Sequence, residues 1–246
     1  MNVKTNKLIL EMDEVDELFV CPASGDEGLA VGAALQANFE LSIQDGNICS
    51  KTPLKDLYFG TSFSNEQIEK TLKEKNLFSE AQYIDDIDYE IGELLSKEDN
   101  IIARFSEQME WGPRGLGNRS ILANASNLEI TRKLNHAIKM RDFWMPFGPS
   151  ILHDRIDDYL INGKHSPHMI IAFDTTNKRK DITAAIHPFD LTCRPQTVSS
   201  KENLGYTNVL KSFESKTGMG GILNTSFNLH GFPIVFNPET AISTFK

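Results

Sequence analysis

A glycine- and arginine-rich run near the middle of the chain limits the possible folds more than any other feature. Residues 112–120 read Gly-Pro-Arg-Gly-Leu-Gly-Asn-Arg-Ser, and helix and strand interiors rarely accept a proline and three glycines so closely spaced. The apolar segment 100–105 before this run is typical of a strand, and the pattern from Leu128 to about Met140 is helical. We therefore predict a strand, an irregular loop and a helix in succession.

From residue 58 onward, helical and strand-like patterns alternate, which is typical of an α/β fold. Helices are predicted at 64–75, where Ser64 and Gln67 can form a capping box, and also at 86–96 and 205–217. A short strand is predicted at 221–224. A last helix opens with Pro238 in its first turn, where proline is tolerated.

The first fifty residues have a weaker pattern. We predict a short strand at Leu18–Cys21, a helix at Leu29–Phe39 and then a linker. A strand and a helix alone cannot bury their apolar faces. We therefore expect residues 1–50 to be the end of another domain and residues 58–246 to form a complete one, so that the chain is a piece of a longer protein. The apolar surface left on the first helix favours self-association, for example as a homodimer.

Charge and apolar content argue against two classes of protein. The net charge of −9 disfavours a nucleic-acid binder, which needs a broad basic surface. No apolar run approaches the roughly 20 residues that cross a bilayer, so no membrane partner is expected. The N-terminus has no signal pattern, and the chain has three scattered cysteines, which we interpret as buried structural thiols: Cys21, Cys49 and Cys193. These features predict a cytoplasmic protein.

A local basic cluster contrasts with this acidic background, since residues 111–141 contain six Lys and Arg and only one acid. Arg114 and Arg119 lie in the glycine-rich run, where amides and guanidinium groups suit phosphate or carboxylate oxygens, although no Walker A ending is present. Lys139 and Arg141 alternate at the end of the predicted helix and would point to one side of an extended chain. Two other interpretations stay open, a solvated helix face and a loop held by arginine–carboxylate bridges.

Polar residues also follow the predicted strand at 221–224, namely Asn224, Thr225, Ser226 and Asn228. Such clusters are typical of ligand sites in open α/β sheets, and turn chemistry is the alternative. Arg194 offers a further cation, whereas the nearby His187 is more simply structural, and the aromatic stretch 143–149 either walls a pocket or packs as core or lid. Because no Ser-His-Asp order appears, any catalysis would be electrostatic.

Four runs together resemble the NodU/CmcH-type O-carbamoyltransferases, which act on antibiotics and nodulation factors: Pro22–Gly28, Trp111–Leu122, Leu134–Arg141 and Leu223–Val235. The resemblance covers nearly the whole chain. It implies a YrdC-like domain from Tyr58 onward, with a twisted mixed sheet and flanking helices. This domain would be preceded by a strand–helix remnant of an actin-like domain.

The resemblance also implies a reaction and its residues. The YrdC-like domain would make carbamoyl-adenylate from two small-molecule substrates, ATP and carbamoyl phosphate, and the mostly absent actin-like domain would transfer the carbamoyl group to an acceptor hydroxyl. Four residues match the catalytic Lys-x-Arg and Ser-x-Asn tetrad: Lys139, Arg141, Ser226 and Asn228. The residues expected to bind the nucleotide or carbamoyl phosphate are Arg114, Asn118, Arg119, Arg194, Asn224 and Thr225.

By the same resemblance, Asp26 matches a metal-ligating aspartate, and a divalent metal, iron or magnesium, is expected only in the intact two-domain protein. In this chain alone, an N-cap for the following helix is the simpler interpretation of Asp26. Met145 and Phe232 depart from the family pattern, and they favour an alternative, a non-catalytic nucleotide-binding protein or degenerate paralogue. An RNA-binding module is a third alternative, which the net charge disfavours.

Overall fold

A five-stranded mixed sheet forms the centre of the protein. The structure is a computed structural model that describes residues 2–49, 54–140, 142 and 144–246. Its strands are β1 (Ile101–Phe105), β2 (Arg119–Ala123), β3 (Gly148–Leu152), β4 (Phe173–Asp174), β5 (Thr192–Cys193), β6 (Gln196–Val198) and β7 (Gly221–Ser226). The main sheet has the order β1-β2-β7-β3-β6, in which only the β3–β6 pair is parallel, and β4 and β5 pair separately.

Helices flank this sheet, as the α/β prediction requires. They are α1 (Val3–Leu10), α2 (Glu27–Gln44), α3 (Asn65–Glu74), α4 (Ile87–Ser96), α5 (Glu129–Leu134), α6 (Ile156–Tyr159), α7 (Leu204–Thr217) and α8 (Pro238–Phe245). Short 3-10 segments cover Phe78–Glu80, His153–Arg155 and Asn177–Ala185. The predicted mixed sheet with flanking helices is therefore confirmed.

The predicted helix ends are confirmed where a local signal sets them. The amide of Ser64 donates to Gln67 Oε1 at 2.8 Å, and Ser64 Oγ accepts from the Gln67 amide at 3.4 Å, which completes the capping box before α3. Gly218 ends α7 with φ of 73°, a left-handed conformation that favours glycine. Pro238 occupies the first turn of α8.

The N-terminal predictions fare less well. The strand predicted at Leu18–Cys21 is wrong, because these residues pair with no strand in the part of the chain that the structure describes. α2 begins before Leu29 and runs through the first part of the predicted linker to Gln44, and none of its residues is buried. α1 was not predicted, and its Asn6 side chain donates to the Ile170 carbonyl at 2.7 Å. The division of the chain into a domain remnant at residues 1–50 and a complete domain at residues 58–246 stays a prediction.

The cysteine prediction is confirmed only in part. Cys193 is buried, and burial raises the pKa of its thiol well above the usual range. Cys21 is exposed and Cys49 is half-buried, so the expectation of three buried thiols is wrong. Cys21 is exposed because the segment around it is not a buried strand.

Both faces of the sheet are buried, which explains the consecutive apolar residues of its central strands. Ile121 and Leu223 face one cluster, formed with α5, α6 and the segments that follow. Leu122 and Ile222 face the other cluster, formed with α4 and α7. Successive strand residues point to opposite faces, so one strand contributes to both cores. The central strands are therefore rigid supports for the loops at their ends.

Candidate active site

Strand directions bring four separate loops to one edge of the sheet. β2 and β7 are antiparallel, with Ser120 opposite Ser226, so the loop before β2 lies beside the end of β7. β3 is also antiparallel to β7 and begins with Gly148 opposite Asn224. β6 is parallel to β3, so it begins at the same edge. The glycine-rich run, the residues before β3, the loop before β6 and the end of β7 therefore meet.

Lys139 lies at the centre of one cluster at this edge. It ends a π-helical segment, Asn135–Lys139, that continues α5, and such segments are frequent at functional sites. Its Nζ contacts the carbonyl and Oγ of Ser226 at 2.5 and 3.3 Å, and the carbonyl and Oδ1 of Asn228 at 3.0 and 2.8 Å. Ser226 Oγ in turn donates to Asn228 Oδ1 at 2.6 Å. The structure thus brings together three of the four predicted tetrad residues.

The helix predicted from Leu128 to Met140 therefore changes character before its end. It is α-helical only to Leu134, and Met140 closes the π-helical segment with φ of 44°. This change turns the Lys139 ammonium into the protein, where the residue is 2% exposed. Arg141, the fourth tetrad residue, lies outside the described residues.

A small cleft adjoins this cluster through Ser226. Its volume is about 50 Å³, enough for a few water molecules and hence for one small anionic group. Its lining includes five residues that the sequence indicated: Arg114, Arg194, Asn224, Thr225 and Ser226. A nucleotide bound here would place one phosphate group in the cleft and lie mostly outside it.

Two polar atoms of the cleft residues are buried without a partner among the described residues. They are Nε of Arg114 and Oδ1 of Asn224. Burial lowers the pKa of Arg114, because the charged guanidinium loses solvation there. Buried polar groups are rarely left unsatisfied in proteins. An anion that accepts from Arg114 Nε and a donor beside Asn224 Oδ1 would complete both.

The remaining cleft residues are fixed by the fold. Arg194 donates to the Met169 carbonyl at 3.0 Å, which holds its guanidinium at the wall of the cleft. The Asn224 amide donates to the Gly115 carbonyl at 3.1 Å and to Gln196 Oε1 at 2.9 Å. Thr225 is 7% exposed and lies between Asn224 and Ser226 on β7. These contacts preorganise the cleft.

Asn118 and Arg119 were also predicted to bind substrate, and the structure places both away from the cleft. Arg119 is 0% exposed, and its guanidinium donates to the carbonyls of Ser106, Asn118, Thr61 and Glu107. Burial lowers the pKa of Arg119 to about 10. Asn118 Oδ1 accepts from Arg104 and Asn203 at 2.9 and 3.0 Å. In this structure both side chains hold the loop rather than face a ligand.

Glu110 is a structural residue of the site that the sequence interpretation missed. Its Oε1 accepts from the amides of Leu116, Asn118 and Arg119 at 2.7, 2.8 and 3.1 Å. Its Oε2 is buried without a partner among the described residues. One carboxylate therefore fixes the end of the glycine-rich loop. The only sequence signal was an acid two residues before Gly112.

The residues present do not form a metal site. Asp26 is exposed at the start of α2, and its side chain makes no capping hydrogen bond, so the predicted N-cap contact is absent. Within the described ranges, no group of three or more His, Cys, Asp and Glu side chains is arranged to hold a metal ion. Among the same residues, no helix is long and apolar enough to cross a bilayer.

Fold and site together define an α/β domain with a cationic cleft beside a lysine–serine–asparagine cluster. Residues 93–246 match the family model described as the carbamoyltransferase C-terminus. The chain therefore belongs to the carbamoyltransferase family. The match begins within α4 and includes every cleft residue.

Several curated proteins are similar to nearly the whole chain. Two uncharacterized proteins of Methanocaldococcus jannaschii are each 40% identical over 99% of this chain, which covers 40% and 46% of their lengths. Nodulation protein NolO of Bradyrhizobium diazoefficiens is 35% identical over 99% of this chain and 44% of its own length. The chain thus spans less than half the length of these relatives.

Proposed function

We propose that this domain joins a carbamoyl group to adenylate, using ATP and carbamoyl phosphate. The observation that carries the proposal is the contact of the buried Lys139 ammonium with Ser226 and Asn228. It lies next to a cleft in which Arg114 Nε is buried without a partner among the described residues. Family membership supports the carbamoyl part of the proposal. The cations at the cleft support the phosphate part.

The proposed reaction balances with one water molecule. Water cleaves the bond between carbon and the bridging oxygen, or between that oxygen and phosphorus, of carbamoyl phosphate, and gives carbamate and phosphate. A carbamate oxygen then attacks the α-phosphorus of ATP. The bond to the β-phosphate oxygen breaks, and pyrophosphate leaves with the electron pair. The products are carbamoyl-adenylate, phosphate and pyrophosphate, with no redox change.

The side chains of this site act by holding charge rather than by covalent catalysis. Arg114 and Arg194 face phosphate oxygens, and the Lys139 ammonium holds the Ser226–Asn228 cluster. Fixed cations in a site with little water stabilise the charge that develops on a transferring phosphoryl group. Transfer of the carbamoyl group to an acceptor hydroxyl belongs, in this proposal, to another part of the longer relatives.

The test is the exchange of labelled pyrophosphate into ATP. The chain should catalyse this exchange only when carbamoyl phosphate, or carbamate formed from it, is present. ATP binding is measured in parallel by calorimetry. Exchange that does not depend on the carbamoyl donor, or no exchange by a protein that binds ATP, would contradict the proposal. The second result would instead favour a non-catalytic nucleotide-binding protein.

A further inference from the structure

A second polar cavity lies at the opposite end of the β3–β6 pair. The candidate active site uses residues at the beginnings of these strands, Gly148 and Arg194. The second cavity is lined by their last residues, Leu152 and Val198, and has a volume of about 440 Å³. Parallel strands end at the same edge, and that edge of an α/β sheet commonly binds ligands. The volume is that of a small-molecule site.

A chain of hydrogen bonds orders one wall of this cavity. Glu202 accepts from His165 Nε2 at 2.6 Å. Thr197 Oγ1, which accepts from the Ser166 amide, is 2.9 Å from His165 Nδ1 and so donates to it. His153 Nδ1 is 3.1 Å from the same His165 Nδ1. When His153 Nδ1 donates to His165 Nδ1, the Nε2 of His153 is an acceptor that can take a hydrogen bond from a ligand.

The titratable groups of this wall do not suit a metal ion. Both ring nitrogens of His165 are occupied by Glu202, Thr197 and His153. Burial alone would raise the pKa of Glu202, but the hydrogen bonds from His165 and Ser199 and the electrostatic effect of His165 and His168 together outweigh it, and the pKa is lowered. The Glu202 carboxylate is therefore ionised and accepts a hydrogen bond from His165. No cluster of three metal-binding side chains occurs in the part of the chain that the structure describes.

Two ammonium groups line the same cavity, those of Lys201 and Lys211. Both side chains are exposed, and no carboxylate among the described residues pairs with them. Hydroxyl groups of Ser199, Ser200 and Thr207 lie beside them. Asp154 also lines the cavity and adds a negative charge to it. Two lysines with neighbouring hydroxyls are phosphate-binding chemistry.

We propose that this cavity binds a small phosphorylated molecule, at a site separate from the carbamoyl-adenylate cleft. The phosphate lies between Lys201 and Lys211, and His153 Nε2 accepts from a hydroxyl or amine of the group that carries it. Asp154 lies at the other side, where it repels the phosphate and accepts from ligand hydroxyl or amine groups. The site is independent of the reaction proposed above, because it shares no lining residue with that cleft.

The experiment is a titration of the chain with inorganic phosphate, in which the amide NMR signals are recorded at each phosphate concentration. Saturable shifts are expected at residues 199–202 and at Lys211. The double substitution K201Q and K211Q should weaken this binding at least about tenfold, because two attractive charges are lost. D154N should strengthen it, and K216Q, on the same helix but paired with Glu93, should leave it unchanged.

R114Q separates the two sites, since it should abolish phosphate binding in the cleft and leave the second cavity unaffected. All these lysine and aspartate positions are exposed, so the variants should retain dispersed spectra. Unchanged affinity in the double lysine variant, or shifts at 199–202 that never saturate, would overturn the proposal. Weaker binding in D154N would overturn it as well, because it would place the phosphate elsewhere.

Discussion

Arg114 and Arg119 lie in one loop, yet their surroundings differ, so that Arg119 has a structural role and Arg114 lines the cleft. Nε is unpartnered among the described residues in both side chains. The two terminal nitrogens of the fully buried Arg119 donate to four carbonyl oxygens, whereas Arg114 lines the cleft. Burial lowers the pKa of both guanidinium groups, but both keep their charge near neutral pH. Only Arg114 is placed to meet an incoming anion.

Replacing Arg114 with glutamine should slow carbamoyl-phosphate-dependent pyrophosphate exchange about 100- to 1000-fold, because one preorganised cation of the transition state is lost. The thermal midpoint should change little. Arg119→Gln should instead lower the free energy of unfolding by at least about 3 kcal/mol, since buried carbonyls lose their donors. Arg132→Gln, at an exposed pair with Glu129, is the control and should change neither quantity.

At the scale of the elements, the glycine-rich loop depends on a carboxylate from outside it. Glu110 accepts three amide hydrogen bonds from the end of the loop. Hydrogen bonds to a charged acceptor are roughly twice as strong as neutral ones. Loop and strand β2 therefore form one rigid unit that positions Arg114.

Glu110→Gln keeps the shape of the side chain and removes its charge. We expect the free energy of unfolding to fall by about 1–3 kcal/mol as the three bonds weaken. We also expect a higher KM for carbamoyl phosphate in the exchange assay, because Arg114 is positioned less well. Denaturant titration and exchange kinetics measure both. The exposed Glu129→Gln is the matched control; a Glu110→Gln variant with wild-type KM would show that the loop does not need this charge.

The contact between α4 and α7 makes a second prediction at this scale. A Cβ on Gly92 would lie 2.6 Å from the Val209 carbonyl oxygen and collide with Ser212, so Gly92→Ala should destabilise the protein by about 1–3 kcal/mol. Gly32 also lies within a helix, but nothing is within 4 Å of its Cβ position. Gly32→Ala should therefore stabilise by about 0.5–1 kcal/mol. Thermal melts should therefore show a lower melting temperature for Gly92→Ala and a higher one for Gly32→Ala. A lower melting temperature in both variants would contradict this packing.

At the scale of the whole molecule, stability should depend on pH through a half-buried histidine. Burial lowers the pKa of His168 from 6.5 to about 4. The folded state thus favours the neutral ring more than the unfolded state does. The contribution of the neutral His168 ring to the free energy of unfolding is complete above about pH 6.5 and is lost as the pH falls toward 4. The loss amounts to up to about 3 kcal/mol.

Denaturant titrations between pH 7 and 4 should therefore show a smaller loss of stability in His168→Gln than in the wild type. The side chain of glutamine does not titrate, so this part of the slope disappears. His136→Gln is the control, because His136 is exposed on the π-helical segment. Equal slopes in the wild type and His168→Gln would contradict the assignment.

Sequence patterns correctly predicted the features of this molecule that depend on interactions between residues close together in the chain. The Ser64 cap, the Gly218 terminus and the polar end of β7 each depend on neighbours within a few residues. The failures depend on distant contacts. Residues 18–21 pair with no strand among the described residues, and the role of Arg119 is visible only beside distant carbonyls such as that of Thr61. Glu110 was missed for the same reason.

In the proposed reaction, the cleft and the Lys139 cluster together make carbamoyl-adenylate. The most direct measurement is mass spectrometry of the products formed from ATP and isotopically labelled carbamoyl phosphate. A product that carries both the adenylate group and the carbamoyl label is expected from the wild type. Its rate of formation should fall by a factor that corresponds to about 2–4 kcal/mol in Lys139→Ala. Absence of this product from a folded wild-type protein that binds ATP, or an unchanged rate in Lys139→Ala, would contradict the claim.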